Sequence, residues 1–549
     1  MIPSEQTGRK ALNFWILVSI FLYVLTISVL FIGIIYFVWS IVLIIQSIIS
    51  APSTDVAHII VQSILNFLSL FVEVMSIFYT VMLFKHMSTT CSIPFVEEDE
   101  IKDKIKELPL ISVLVPIHNP DFDVLESTIK SIADSNYDRK KIQILIGDDS
   151  EKNSQYNNKI TSISKKYDAM YIYDSENFLF KAGMLNIMLK EAKADFVVFL
   201  DYDHRITPNF LRKSIVKLLK NDNIAYVQAK VNFYNIKSKL QIWEAVMYAQ
   251  FFEVFERSKN KRKKVIFNGT TACFRKTVLE EIGGIPTSTF TEDVDLSIQI
   301  LTRGYDSVLL DEYGSFGLVP SNFPLLLSQI LRWAKGSMHT LKLRWKTILR
   351  GKMSPYDRLD LTFSTLLFFI ASSMYLTISI YVIMFFTGSD AIRLPTENFP
   401  PLIIMPIALA VSYQLSAIIA VLFSKKGREI EIKAFDLLLF FLIALTLNPF
   451  TVYAVVKTIF RRKAPDRRKD QWNEKVPFIP VSIVISLLGV GLIVLAYFDF
   501  MSTNQSLWVV LGLLGLSLAA TFPVSLFFYL TTRHNKPYFE RNNKRNTEA

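Results

Sequence analysis

The chain has 549 residues, a formal net charge of +11 and a hydrophobic fraction of 51%, with 43 Phe. That is too long for one ordinary domain and too apolar for a purely soluble one. The excess of basic residues sits at the ends of apolar runs, as the positive-inside rule expects, so nucleic acid is not an expected partner. Two cysteines, Cys91 and Cys273, make no disulfide framework and fit a reducing compartment.

Residues 11–54 carry no charge, and that run exceeds the roughly 20 residues a spanning helix needs. Arg9 and Lys10 precede it. The run is too long for a signal-peptide core, so it reads as a retained anchor. A second apolar run over 56–84 returns the chain to the side of Lys85. The N-terminal membrane region is therefore 1–88, with about two spans. Glu73 sits inside the second. An ionisable group there faces protein or water rather than lipid; it either fixes helix packing or lines a wet path.

Between 89 and 335 the pattern changes to short β-rich runs alternating with amphipathic ones. Strands are expected at 111–116, 142–147, 170–173, 194–200 and 224–230, and helices at 124–135 and 210–220. Strands alternating with helices predict a mostly parallel, Rossmann-like α/β sheet, with ligands at the carboxyl ends of its strands. Asp148, Asp149, Asp201 and Asp203 all fall at such ends.

Residues 336–356 form an amphipathic stretch suited to the membrane interface. The C-terminal membrane region, 357–532, has further uncharged runs at 361–389, 398–424, 437–456, 476–498 and 500–532. These give about four spans. They also leave a re-entrant or interfacial hairpin near 435–460, because both of its ends are basic and Asn448-Pro449 breaks its middle. The basic tail, 533–549, then lies on the cytoplasmic side with the α/β domain. The expectation is a multi-pass cell-membrane protein in contact with membrane lipids.

Five short motifs carry chemistry. Asp201-Tyr202-Asp203-His204 ends a strand; its two carboxylates either close a turn or hold Mg²⁺ or Mn²⁺, with His204 left structural. Thr291-Glu292-Asp293 is either a helix cap with acids in the first turn or a general base. In Gln329-Ile-Leu-Arg332-Trp333, Arg332 suits phosphate oxygens and Trp333 a sugar ring, or the segment is an amphipathic helix. Asn268-Gly269-Thr270 allows close backbone approach to a ligand, and Lys181 before Ala182-Gly183 is a phosphate contact; each also reads as an ordinary turn or helix start.

Together, and in this order, Asp-x-Asp, Thr-Glu-Asp and Gln-x-x-Arg-Trp resemble the membrane-integrated family 2 glycosyltransferases, the group of cellulose and hyaluronan synthases. The resemblance covers about 110–353. It implies a cytoplasmic GT-A-type domain inserted between transmembrane helices and an inverting transfer from a nucleotide sugar, usually a UDP-sugar. It further implies Asp148, Lys181, Asp201, Gln329 and Arg332 around the donor, and Asp203, with Asp201, on Mg²⁺ or Mn²⁺. Asp293 is then the catalytic base, and Trp333, Asn268, Gly269 and Thr270 lie at the acceptor. The acceptor is a growing polysaccharide, translocated across the membrane, or alternatively a lipid; accessory subunits are left open. A transporter with an inert α/β domain is the remote alternative. Two departures stand out: His118-Asn119-Pro120 replaces the family's Tyr-Asn-Glu, with Asp121 next to it, and Asn268 stands where cellulose synthases tend to have Cys. The 472–475 segment is read as a divergent gating loop.

Overall fold

A computed structural model describes residues 5–49, 56–93, 107–150, 154–174, 179–368, 401–424, 434–460, 478–501, 512, 515–516 and 518–532. They divide into two compact units. One holds the described residues of 1–94, 366–457 and 476–531, the other those of 95–365 and 532 together with 458–460.

The first unit is helical. α1 (Glu5–Ile49) is one continuous helix of 45 residues, and α2 (Val56–Ser92) packs against it. Apolar side chains surround α1, and Phe14, Phe21 and Phe31 remain exposed, as suits a helix whose solvent is lipid. What joins the two helices is small or polar. The Ser19 hydroxyl donates to the Ser88 carbonyl at 2.8 Å, and the Ser88 hydroxyl to that of Ser19 at 2.9 Å. Gly33 lies against Ile77, where a Cβ would meet Ile77 Cγ2 at 2.6 Å. The Tyr36 hydroxyl donates to Glu73 Oε2, and Glu73 is buried. Glu73 thus bridges two helices from a site that would otherwise be prohibitive for a carboxyl.

The second unit is built on eight strands: β1 (Ile111–Ile117), β2 (Ile142–Asp148), β3 (Ala169–Tyr173), β4 (Phe196–Phe199), β5 (Arg205–Ile206), β6 (Ile224–Phe233), β7 (Ala272–Arg275) and β8 (Asp306–Gly317). Their order is β3-β2-β1-β4-β7-β6-β8-β5. The half from β3 to β4 is parallel. All seven residues of β1 are buried, the continuous apolar run of a strand covered on both faces. The other half is mixed, because β7 runs antiparallel to both β4 and β6, and β5 antiparallel to β8. The expected mostly parallel sheet is therefore a mixed one. The three strands not expected are short or polar: β7 hides four residues behind a Thr-rich turn, and β8 is interrupted by Asp311, Glu312 and Gly314.

The helices of this unit are α3 (Phe122–Ala133), α4 (Ser154–Lys166), α5 (Phe180–Glu191), α6 (Phe210–Leu219), α7 (Lys239–Ala249), α8 (Arg257–Asn260), α9 (Lys276–Glu281), α10 (Glu292–Leu301), α11 (Phe323–Arg350) and α12 (Pro355–Thr365). Asp121 caps α3, its carboxylate accepting from the backbone of Asp123 and Val124 at 3.0 and 3.1 Å. Its position beside His118-Asn119-Pro120 is thus explained by a helix start. α7 begins with a Ser238–Gln241 capping box and runs into a π-helical stretch, Gln250–Glu256.

The amphipathic segment expected to begin at 336 is the second half of α11. The helix starts at Phe323 because Asn322 caps it, accepting from Leu325 N at 3.1 Å. Gly336 does not break it; its missing side chain lets the helix approach Thr291, whose Cγ2 would lie 2.4 Å from a Cβ. Its supposed apolar face divides. Met338 and Ile348 are buried, the latter among Ile266, Ile298 and Leu361, while Trp345 and Leu349 are exposed.

The hairpin expected at 435–460 is instead a single helix, Ala434–Phe460, with Pro449 inside it. The proline removes one donor. Opening a turn in an apolar run would strand several backbone groups and cost more. Helices Pro401–Ser424, Phe478–Met501 and Thr521–Thr532 follow the same apolar pattern. Among the described residues four segments are long and apolar enough to cross a membrane: Asn13–Gln46, Ile59–Ser92, Leu442–Phe460 and Phe478–Tyr497. Most of the expected 361–389 span, the 472–475 segment and the 533–549 tail lie outside the described residues.

If Glu73 serves to join α1 and α2, Tyr36→Phe removes the donor and destabilises the helical unit by about 1–3 kcal/mol. Glu73→Gln keeps an acceptor for the hydroxyl and costs less. Thermal midpoints of the two variants in detergent check the order.

Candidate active site

The carboxyl ends of β1, β2 and β4 open into a cavity of about 440 Å³. Its acidic wall is the turn after β4. The His204 backbone N–H donates to the Asp201 carbonyl at 3.0 Å, and the Asp201 N–H to Thr270 Oγ1 at 2.9 Å. The turn thereby gathers Asp201, Asp203 and His204 so that one ligand atom from each lies within 4.8 Å of the others. His204 was set aside in the sequence as structural. It is buried with Nδ1 3.0 Å from Ser315 Oγ, and its ring also joins this group. Burial raises the Asp203 carboxyl above its usual range against the pull of His204, and Asp201 adds to the rise. Two carboxylates and an imidazole within this reach form a donor set that fits Mg²⁺ or Mn²⁺.

Lys181 stands in the first turn of α5, which the chain enters through Phe180 at φ 54. Its ammonium lies 2.5 Å from Asp201 Oδ1 and donates to the Gly269 carbonyl at 2.8 Å. Burial alone would lower its pKa, but Asp201 and Glu292 outweigh that and raise it, so the lysine is charged. Gly269 has φ +95, and a Cβ there would stand 3.2 Å from Asp293 Oδ2. The position requires glycine both for its backbone and for the approach of the acid.

Three acids open α10, and each has a different fate. Asp295 is fully buried and accepts from Arg344 Nε at 2.7 Å and Thr289 Oγ1 at 3.2 Å, which ties α10 to α11. Glu292 and Asp293 line the cavity. Burial, with Glu292 adding to it, pushes the Asp293 carboxyl up to about 7. Thr291 makes no side-chain cap; its hydroxyl meets that of Thr340 at 3.0 Å. The cap reading of this motif therefore fails for the threonine.

Gln329, Arg332 and Trp333 project from α11 into the same cavity, which Asn268, Gly269 and Thr270 also line. Gln329 Nε2 donates to Glu244 Oε1 at 2.8 Å, and Trp333 meets Tyr248 edge-on at 6.1 Å. Glu244 and Tyr248 come from α7 and were not singled out in the sequence; an apolar helix with one Glu gives no local signal. Asn268 has both side-chain amide atoms buried without a hydrogen-bond partner.

Asp148 differs from the other expected residues. It ends β2 fully buried, accepting from Ser150 N at 2.9 Å, Ser150 Oγ at 2.5 Å and Tyr171 OH at 2.8 Å, and it is not part of the cavity lining. Its neighbour Asp149 is, and holds His118 Nδ1 at 2.9 Å. That hydrogen bond raises the His118 pKa.

Residues 196–423 match the family described as Glycosyl transferase family group 2. A "Probable glycosyltransferase" of Sulfolobus acidocaldarius is 26% identical over 304 residues, 54% of this chain and 65% of the relative. The cellulose synthase catalytic subunit [UDP-forming] of Pseudomonas fluorescens is 26% identical over 241 residues, 43% of this chain and 32% of the relative. The chain thus spans less than two thirds of either relative's length. Among solved structures, a mannosyltransferase from Pyrobaculum calidifontis in complex with GDP-Man and Mn²⁺ is 17% identical, with a TM-score of 0.49, over 73% of this chain and all of the other. The matched residues hold the acidic turn after β4, Asp293 and the Gln329–Trp333 segment, and over this stretch the chain is similar to the family 2 glycosyltransferases.

Proposed function

We propose that the protein is an inverting hexosyltransferase that moves a sugar from a nucleotide-sugar donor, a UDP-sugar, onto a hydroxyl of a growing polysaccharide. The observation that carries this reading is one cavity that joins an acidic turn fit for a cation, a charged lysine and a carboxyl poised near neutrality. The UDP preference draws support from the name of the Pseudomonas relative. Four apolar helices around the domain in sequence support a cell-membrane location with the catalytic domain on the cytoplasmic side and passage of the polymer across the bilayer. Membrane lipids are then the solvent of the helical unit.

Asp293 accepts the proton of the acceptor hydroxyl. The acceptor oxygen attacks the anomeric carbon in line, and the carbon–oxygen bond to the diphosphate breaks with inversion. The nucleoside diphosphate leaves with that electron pair. Lys181 and Arg332 meet the growing negative charge on its oxygens. Asp201, Asp203 and His204 would hold Mg²⁺ or Mn²⁺, which would supply further neutralisation of the diphosphate. Trp333 offers its ring face to the acceptor sugar, and Gly269 and Thr270 keep the backbone close to it. The nucleoside end of the donor falls to Asp149 and His118 at the cavity edge, since the Asp148 carboxylate is already occupied.

Purified full-length protein incubated with a panel of UDP-sugars and Mg²⁺ or Mn²⁺ releases UDP and forms polymer; no release from any sugar nucleotide refutes the assignment. Asp293→Asn keeps the shape and loses the proton affinity. It lowers turnover by about 10²–10⁴ and leaves UDP binding near wild type.

The rate should also follow Asp293 in pH. The base works only when deprotonated, and its folded pKa is about 7. Log kcat/KM therefore rises with pH below about 7, approaching one decade per unit, and levels above it. A flat profile from pH 5 to 8 removes Asp293 from the rate-limiting proton transfer.

EDTA should abolish transfer, with activity returning on addition of Mn²⁺ or Mg²⁺. Full activity in EDTA would reduce the acidic turn to a structural feature.

A further inference from the structure

Glu244 belongs to none of the motifs that mark the family domain. It stands midway along α7, only 2% exposed, yet it lines the cavity. Its Oε1 accepts from Gln329 Nε2 at 2.8 Å. Burial pushes its carboxyl up to about 8, and the Gln329 hydrogen bond offsets this only in part. At neutral pH it therefore keeps its proton. A protonated carboxyl is a donor as well as an acceptor, and Gln329 already fills the acceptor role at Oε1.

A second observation points to a ligand. The Asn268 side-chain amide lines the same cavity with donor and acceptor both buried and unpartnered, which is costly unless something fills the cavity. The polar lining then divides by chemistry. Lys181, Asp201, Asp203 and Arg332 are charged and suit a diphosphate with its cation. Glu244, Asn268 and Gln329 are neutral, and each can both donate and accept. Sugar hydroxyls do the same, while a phosphate would find no cation among these three. The rings of Tyr248 and Trp333 meet beside them.

We propose that Glu244 is a specificity-determining residue for the acceptor sugar: its carboxyl O–H hydrogen-bonds an acceptor hydroxyl, and Gln329 of the Gln-x-x-Arg-Trp motif holds it in the required orientation. The inference rests on the transferase reading above. It places recognition of the acceptor partly on α7, outside the identifying motifs.

The test uses the full-length protein in detergent with Mn²⁺, the sugar nucleotide that gives most nucleoside diphosphate release, and three acceptor probes: cellobiose, mannobiose and N,N′-diacetylchitobiose. Release without added acceptor reports the donor site alone, and its acceleration by a disaccharide reports the acceptor site. Glu244→Ala raises KM for the accelerating disaccharide about ten- to a hundredfold, at least tenfold more than any rise in donor KM. Glu244→Gln retains a donor and stays within about threefold of wild type.

Disaccharide titrations followed by tryptophan fluorescence repeat the comparison without turnover, so a slow variant is still measured. An unchanged disaccharide KM in Glu244→Ala overturns the proposal. So does an equal rise in donor KM, which would mean Glu244 only supports the site as a whole. A wild-type protein that neither accelerates with nor binds any of the three disaccharides also overturns it. Absence of nucleoside diphosphate release from every sugar nucleotide is a separate result and sinks the transferase reading itself.

Discussion

Lys181 is the joint on which the catalytic cavity depends. Four carboxyls, Asp201, Asp203, Glu292 and Asp293, line one cavity, where Asp201 helps raise the Asp203 carboxyl and Glu292 that of Asp293. The lysine answers Asp201 directly at 2.5 Å, and its charge pulls against the raised pKa values of Asp203 and Asp293. It also donates to the carbonyl of Gly269, whose missing side chain admits Asp293. One ammonium therefore connects the turn after β4, the loop before β7 and the start of α10.

The mixed half of the sheet makes that convergence feasible. β7 inserts antiparallel between β4 and β6. The chain entering β7, Asn268-Gly269-Thr270, is thereby delivered beside the carboxyl end of β4, where Asp201 waits. Thr270 Oγ1 accepts the Asp201 N–H, so loop and acidic turn are fastened to each other. On the far side β6 and β8 enclose a buried ion network. Lys230 Nζ lies 2.8 Å from Glu253 Oε2 and also pairs with Asp311, while Arg257 approaches Asp311 at 3.5 Å. Glu253 lies in the π-helical stretch after α7. The network therefore anchors the C-terminal end of the helix that carries Glu244 and Tyr248 to the cavity wall.

α11 joins recognition to the domain core. Its first half brings Gln329, Arg332 and Trp333 to the cavity. Its second half is locked to α10 by Arg344 on Asp295 and by Gly336 against Thr291. The Thr-Glu-Asp and Gln-x-x-Arg-Trp segments are thus mechanically one body within this unit. Asp295, the third acid at the start of α10, serves this attachment.

Composition and local pattern settle that the chain carries long apolar helices and mark most of the short motifs at its centre. Long uncharged runs can only be helices in lipid, because no water is present to satisfy an open backbone. Continuous apolar runs of five to seven residues bounded by turns, as in β1 and β2, identify buried strands. Asp201, Asp203, Lys181, Asp293, Gln329, Arg332 and Trp333 were legible as short motifs, and all line one cavity. Tertiary structure alone decided the rest. Asp148 and Asp149 are adjacent and chemically identical in the chain, and only the packing of Ser150 and Tyr171 turns the first inward. His204 packs against Ser315 and comes near two carboxylates only through a turn closed by a backbone hydrogen bond. Glu244 was invisible because its meaning comes from Gln329, 85 residues away. The Ala434–Phe460 helix keeps its proline because losing one hydrogen bond costs less than opening the chain. Local pattern reports the period of burial; which side chains meet, and which carboxyl keeps its proton, are set by contacts between segments that the pattern does not connect.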